Sequence, residues 1–351
     1  MENYRINEKN GMEFGIYTLG DHIPNPLTGS RISAQARIQE IIETSKFAEQ
    51  AGIDVFAVGE SHQQYFATQA HSVVLAAIAQ ATSKIKLASS ATVLSVADPV
   101  RVYEDFATLD LISSGRAEIV AGRGSRVGAH ELFGVSLRDY EEIFEDKLAL
   151  LKQLNDKQII NYEGKFRAPL NNAHILPQPL NGSLPIWRAV GGPPESAIKA
   201  GKMGIPMMLT TLGGPAIAFA PSVDAYREAA DRSGHDASKL PIATASLFYV
   251  AETEAEALEG MYPHLNGGMQ AIRGQGYPRG QFEAATSVTD ALMVGSTNQI
   301  IEKLHYQYEL YGMQRFMAQI DFGGIPIEKV MKNIEIIGND IIPAVKKFTA
   351  K

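Results

Sequence analysis

Glu60-Ser61-His62 sets a carboxylate and an imidazole two residues apart, a spacing that can serve as general acid and base. The same residues would also make a polar strand end with one hydrogen-bonded histidine, and the sequence leaves both readings open. A second stretch, Gly122-Arg123-Gly124-Ser125, follows the apolar run Ile119-Val120-Ala121. Its glycines let a ligand approach the backbone, and Arg123 offers a cation to a phosphate. Gly128 falls one residue late for the G-x-G-x-x-G dinucleotide fingerprint. A third stretch, Gly191-Gly192-Pro193-Pro194-Glu195-Ser196, leads from an apolar run into helical sequence. The free N–H groups and positive dipole end of a helix start suit a phosphate. Two plain turns, with Ser196 acting only as a cap, would use the same residues. In the run 86–94, the small residues Ser89, Ser90 and Ala91 leave room for a flat group against the backbone, or simply fill a crowded interior.

Other chemistries are excluded or unsupported. The chain has no cysteine, which removes disulfide, thiol-nucleophile and thiolate-metal chemistry. His71, His130 and His174 stand alone, and neither an H-E-x-x-H metal motif nor a G-x-S-x-G nucleophile elbow occurs, so no metal is expected. The net charge of −7 without blocks of like charge argues against nucleic acid or an anionic membrane as the main partner. The opening MENYRINEKN lacks the apolar core of a signal peptide, and no apolar run reaches the length of a membrane span. A cytoplasmic protein is expected.

The elements that must position these residues alternate along all 351 residues, of which 45% are hydrophobic. Strand-like runs occupy 12–18, 54–58, 85–94, 118–121, 184–190, 206–209, 242–251 and 315–320, each followed by helical sequence. Eight such units in one chain predict a single closed (β/α)8 TIM barrel over 1–351, with a doubly wound open sheet as the alternative. Residues 155–183 and 266–289 are too long for simple connections and read as insertions, the second as a glycine-rich mobile loop. A barrel places its active site at the C-terminal strand ends. That rule selects Thr18, Glu60 to His62, Ser90 to Leu94, Gly122 to Ser125, Gly191 to Ser196, Thr210, Thr211 and Asp321 to Gly324.

ATVLSVADPVRVYEDFATLDLISSGRAEIVAGRGS, ending at Ser125, and LPIWRAVGGPPES followed by KMGIPMML carry a family pattern. Through them the chain resembles the bacterial luciferase-like flavin-dependent monooxygenases, over nearly its whole length. The resemblance implies a (β/α)8 barrel with insertions that binds reduced FMN at its C-terminal mouth. By that resemblance Arg123 would bind the FMN phosphate, Gly191 and Gly192 would border it, and the Ser196 hydroxyl would contact it. The Ser90–Ala91 peptide would be a cis bond against the isoalloxazine ring, and Thr210 and Thr211 would lie beside the ring. The luciferases carry Glu-His-His after the second strand, and its first histidine is catalytically important. Here that position is Ser61, with Glu60 and His62 remaining as candidate catalytic groups. The luciferase tryptophan beside the flavin is replaced by Thr211.

The implied activity is an FMN-dependent monooxygenase acting with O2 on a small organic substrate. A separate NAD(P)H:flavin reductase would supply the reduced flavin, and the chain would form a homodimer. A reductase using the deazaflavin F420, and a flavin-binding protein without turnover, are the alternatives.

Overall fold

The structure, a computed structural model, describes residues 1–124 and 127–351. Ser125, the last residue of the arginine turn, lies outside them. Among the described residues eight parallel strands form a closed barrel: β1 (Glu13–Thr18), β2 (Val55–Val58), β3 (Lys86–Ser89), β4 (Ala117–Gly122), β5 (Ile186–Val190), β6 (Met207–Thr210), β7 (Ile242–Ala251) and β8 (Arg315–Gln319). Each pairs with the next, and β8 returns to β1 in a register running from Glu13↔Arg315 to Tyr17↔Gln319. That closure rules out the open sheet.

Local chemistry starts the outer helices where the sequence marks them. Ser33 caps Ala34–Gln50 by accepting from the Ala36 N–H. Asp98 caps Pro99–Ile112, whose first-turn proline gives up an N–H that had no helical partner. Ser296 and Gln299 form a reciprocal capping box on Thr297–Tyr311.

The structure corrects two expectations, for 85–94 and 266–289, and adds detail at two further places. The run 85–94 is not one strand. It breaks after Ser89 at a cis Ser90–Ala91 peptide and resumes as the short Thr92–Val93 pairing with β4. The insertion 155–183 contains an antiparallel hairpin, Ile159–Tyr162 with Leu170–His174. The segment 266–289 is not a plain loop. Its first part completes the helix Glu254–Arg273, and Arg279–Ala284 is a further short helix. A strand absent from the expected set, Met293–Ser296, extends the sheet beside the end of β7.

Inside the barrel, side chains alternate inward and stack in layers. At the N-terminal end Arg315 forks onto Glu118 at 2.6 and 3.0 Å and reaches Glu13 at 2.6 Å. Lys86 pairs with Glu13 and lies 3.9 Å from Glu118. Trp187 donates its indole N–H to Glu118 at 3.0 Å, and the Arg315 guanidinium stacks 4.7 Å from its ring. Two carboxylates thus meet two cations with their donors used. Tyr4 and Ile6 cover this floor from below, while Arg5 ties the leading segment to Asp110 at 2.9 Å. Above lies an apolar layer that includes Val55, Ala57, Ala88, Val120, Met208 and Met317.

Candidate active site

The strand ends above this layer surround a cavity of about 410 Å³, within the usual range for small-molecule sites. One wall carries the acid–base pair. His62 Nε2 lies 2.5 Å from Glu60 Oε1, and Glu60 Oε2 accepts from the Val93 N–H at 2.7 Å. The Glu60 N–H in turn donates to Ala91 O at 3.2 Å. These bonds clasp the end of β2 to the broken end of β3. Gly59 is required at this seam, because a Cβ there would lie 2.3 Å from the Ser90 carbonyl oxygen. Phe133 packs edge-on to His62, with ring centroids 4.9 Å apart. Behind the pair, His71 bonds Thr92 Oγ1 at 2.8 Å, and burial holds its pKa below the usual imidazole value.

A second wall, at β4 and β5, has an anion-binding character. Arg123 lines the cavity, is 28% exposed and pairs with the half-exposed Glu141 at 2.8 Å. Such an exposed pair is weak, so a phosphate can compete for the guanidinium. The Ser95 hydroxyl donates to the Arg123 carbonyl and fixes the turn. Nothing among the described residues comes within 4 Å of where a Cβ would stand on Gly191 or Gly192, so their backbone is open to a ligand.

The remaining lining is mostly apolar, from Leu212, Leu247 and Phe322 to Met269 and Ile272 of the helix Glu254–Arg273. Gly268 lets that helix sit over the strand ends, since a Cβ there would be 2.8 Å from the Phe322 ring.

Of the residues selected in the sequence, Glu60, His62, Ser90, Ala91, Arg123, Gly191 and Thr210 line this one cavity. Gly192, Ser196 and Thr211 do not. The Gly192 carbonyl accepts from Ser222. Thr211 is fully buried and turned to the Ala245 carbonyl, which its N–H meets at 2.8 Å. Ser196 is buried and accepts from Arg188 Nε at 3.2 Å.

Two residues escaped the sequence reading. Arg188 is fully buried, and both its terminal nitrogens hold Glu145, at 2.8 and 2.6 Å. Burial alone would raise the Glu145 carboxyl, but the Arg188 bonds bring it below the usual carboxylate value. Gln319 ends β8 inside the mouth with its amide nitrogen buried and unpaired. The strict inward alternation of β8 was a signal that could have flagged it.

The open glycine turn, the weakly held arginine and the unpaired amide above an apolar layer together fit a flat, phosphorylated cofactor. The comparisons with known proteins bear on the same question. The luciferase-like monooxygenase family model matches residues 12–315. The chain belongs to that family. The monooxygenase RslO1 from Streptomyces bottropensis superposes with a TM-score of 0.84 at 21% identity, over 95% of this chain and 99% of its own. The oxygenating constituent of 3,6-diketocamphane monooxygenase from Pseudomonas putida, solved with FMN, gives 0.75 at 19% identity, covering 95% and 98%. An F420-dependent secondary alcohol dehydrogenase, solved with an F420–acetone adduct, gives 0.72 at 19% identity, covering 95% and 99%. At these identities the superpositions establish a shared barrel. Barrels of this shape thus occur in a protein solved with FMN and in one solved with an F420 adduct. No helix among the described residues is long and apolar enough to cross a membrane.

Proposed function

We propose that this protein is an FMN-dependent monooxygenase that uses reduced FMN and O2 on a small organic substrate. The observation that carries the reading is the division of one cavity into an arginine–glycine wall and a hydrogen-bonded Glu60–His62 wall. Arg123 and the Gly191–Gly192 turn would hold the phosphate, and the Ser90–Ala91 edge would lie against the ring. Reduced FMN, when bound there, would supply the electrons for oxygen activation.

The chain's own residues do the rest. With Nε2–H donating to Glu60, the His62 Nδ1 is left as the basic nitrogen, so a proton is taken up and returned there. Glu60 holds the ring's tautomer and stabilises the imidazolium. Met269, Ile272 and Phe322 exclude water from the upper wall. Ser61 stands where the luciferases carry their catalytic histidine, and in this reading proton transfer would fall to Glu60 and His62 on either side of it. A separate NAD(P)H:flavin reductase would feed the enzyme, and the chain would act as a cytoplasmic homodimer.

The test is a titration with reduced FMN and with reduced F420 under anaerobic conditions, followed by admission of oxygen. The reading expects tight binding of FMN and oxygen uptake that depends on the protein. Binding of reduced F420 alone, with no oxygen uptake, would replace it by a hydride-transfer reductase. FMN binding with no protein-dependent uptake would leave a flavin-binding protein without turnover.

A further inference from the structure

We propose that Gln319 recognises the ring of the cofactor, pairing its carboxamide with the imide edge (C=O and N–H side by side) that flavins and deazaflavins share. This rests on the flavin-family reading of the cavity and adds the residue that reads the ring rather than the phosphate.

The argument begins with the alternation of β8. Arg315, Met317 and Gln319 all face inward, one in each layer, and Gln319 stands in register with Tyr17 of β1. Its side chain is only 4% exposed. The amide Nε2 is buried without an acceptor. Asn333 shows the ordinary arrangement in this molecule, accepting from the Val250 N–H and donating to the Lys329 carbonyl. A buried amide donor without an acceptor is costly, so it marks a place where a ligand completes the bonding. The layer beneath, Met317, Met208 and Ala245, is apolar and offers no partner.

The chemistry of the missing partner follows. A carboxamide presents one donor and one acceptor side by side, and its end can turn to exchange them. A lone carbonyl would satisfy the donor and leave Oε1 unpaired. A carboxylate would satisfy the donor and set a negative charge against Oε1. An imide edge satisfies both. The strand order agrees, because β8 lies across the barrel from β4, where Arg123 stands. A ligand held by its phosphate at the β4–β5 wall and lying over the apolar layer meets Gln319 at its far end.

The experiment measures dissociation constants of FMN, riboflavin and N3-methyl-FMN by quenching of flavin fluorescence. Wild-type protein should prefer FMN over N3-methyl-FMN by about tenfold, since the methyl group blocks the imide N–H. Gln319→Met should weaken FMN and riboflavin alike, by about tenfold, and abolish the preference against the methylated ring. Equal affinity of the wild type for FMN and N3-methyl-FMN would overturn the proposal without reference to any variant. So would unchanged FMN affinity in a folded Gln319→Met protein, with folding checked by its thermal midpoint. The flavin-family reading of the cavity, on which this proposal rests, fails separately if the wild type binds neither FMN nor F420.

Discussion

The floor and the mouth of the barrel stand on the same eight strands and use polar groups in opposite ways. At the floor, Glu13, Lys86, Glu118 and Arg315 come together with their charges compensated and with Trp187 taking a remaining lone pair. At the mouth, Arg123 rests on an exposed glutamate, the Gly191–Gly192 backbone faces open space, and the Gln319 amide nitrogen has no acceptor. Satisfied groups hold a fold together, and unsatisfied ones are kept for a ligand. The difference separates residues that matter for stability from those that matter for function.

The sharpest way to break this contrast is Arg315→Met. It strands Glu118 in the interior, and the unfolding free energy should fall by roughly 3–5 kcal/mol in urea melts. A loss below about 1 kcal/mol would show that the floor is not the stabilising end. Next in size is His62→Asn, which should lower turnover by about 10²-fold or more while the melting point stays put, as measured by oxygen uptake coupled to a flavin reductase. Arg123→Ala should weaken FMN by about tenfold and leave riboflavin, which has no phosphate, within about twofold, with little change in stability. Equal FMN affinity before and after would remove the phosphate assignment.

The smallest effects come with pH. Burial alone would raise the Glu118 carboxyl, but Arg315 and Lys86 bring it below the ordinary value. Its ionised form is therefore favoured in the folded state. The stability it contributes is fully present above the unfolded carboxylate range and is lost as pH falls through the lower, folded value. Unfolding free energy should be insensitive to this group between about pH 6 and 8, where both states are ionised. FMN affinity, by contrast, should decline a few-fold from about pH 7 to 5, as the phosphate loses its second charge near pH 6. Parallel pH profiles for stability and binding would erase the distinction between the two ends.

The eight barrel strands were legible because apolar runs, glycine stops and helix caps recur in phase along the chain, as at Ser33 and Asp98. The arginine turn and the Glu60–His62 pair followed from the rule that function sits at the C-terminal strand ends. The helix Glu254–Arg273 was not legible, because Pro263 and its several glycines lower helix propensity. Those glycines are there for contact: Gly260 meets the Tyr249 ring and Gly268 meets Phe322, each closer than a Cβ would allow. The residue pattern alone hid the break of the third strand, since Ser90 and Ala91 fit an extended run equally well, while the family resemblance implied the cis Ser90–Ala91 peptide at which it falls. The floor was invisible for another reason. Its four charges are scattered along the sequence and acquire a common meaning only when the barrel closes.

That closure has a consequence for how the chain is made. Arg315 opens the last strand and is the guanidinium that both Glu13 and Glu118 wait for. On the ribosome, most of the protein emerges before it does. Until then two acids and Lys86 share an incomplete floor, and β1 lacks one of its two neighbours. The barrel is therefore completed late, by contacts of very high sequence separation. A nascent or truncated chain that stops short of β8 should behave as an open, association-prone sheet, a client for chaperones, until its final segment arrives to lock the ring.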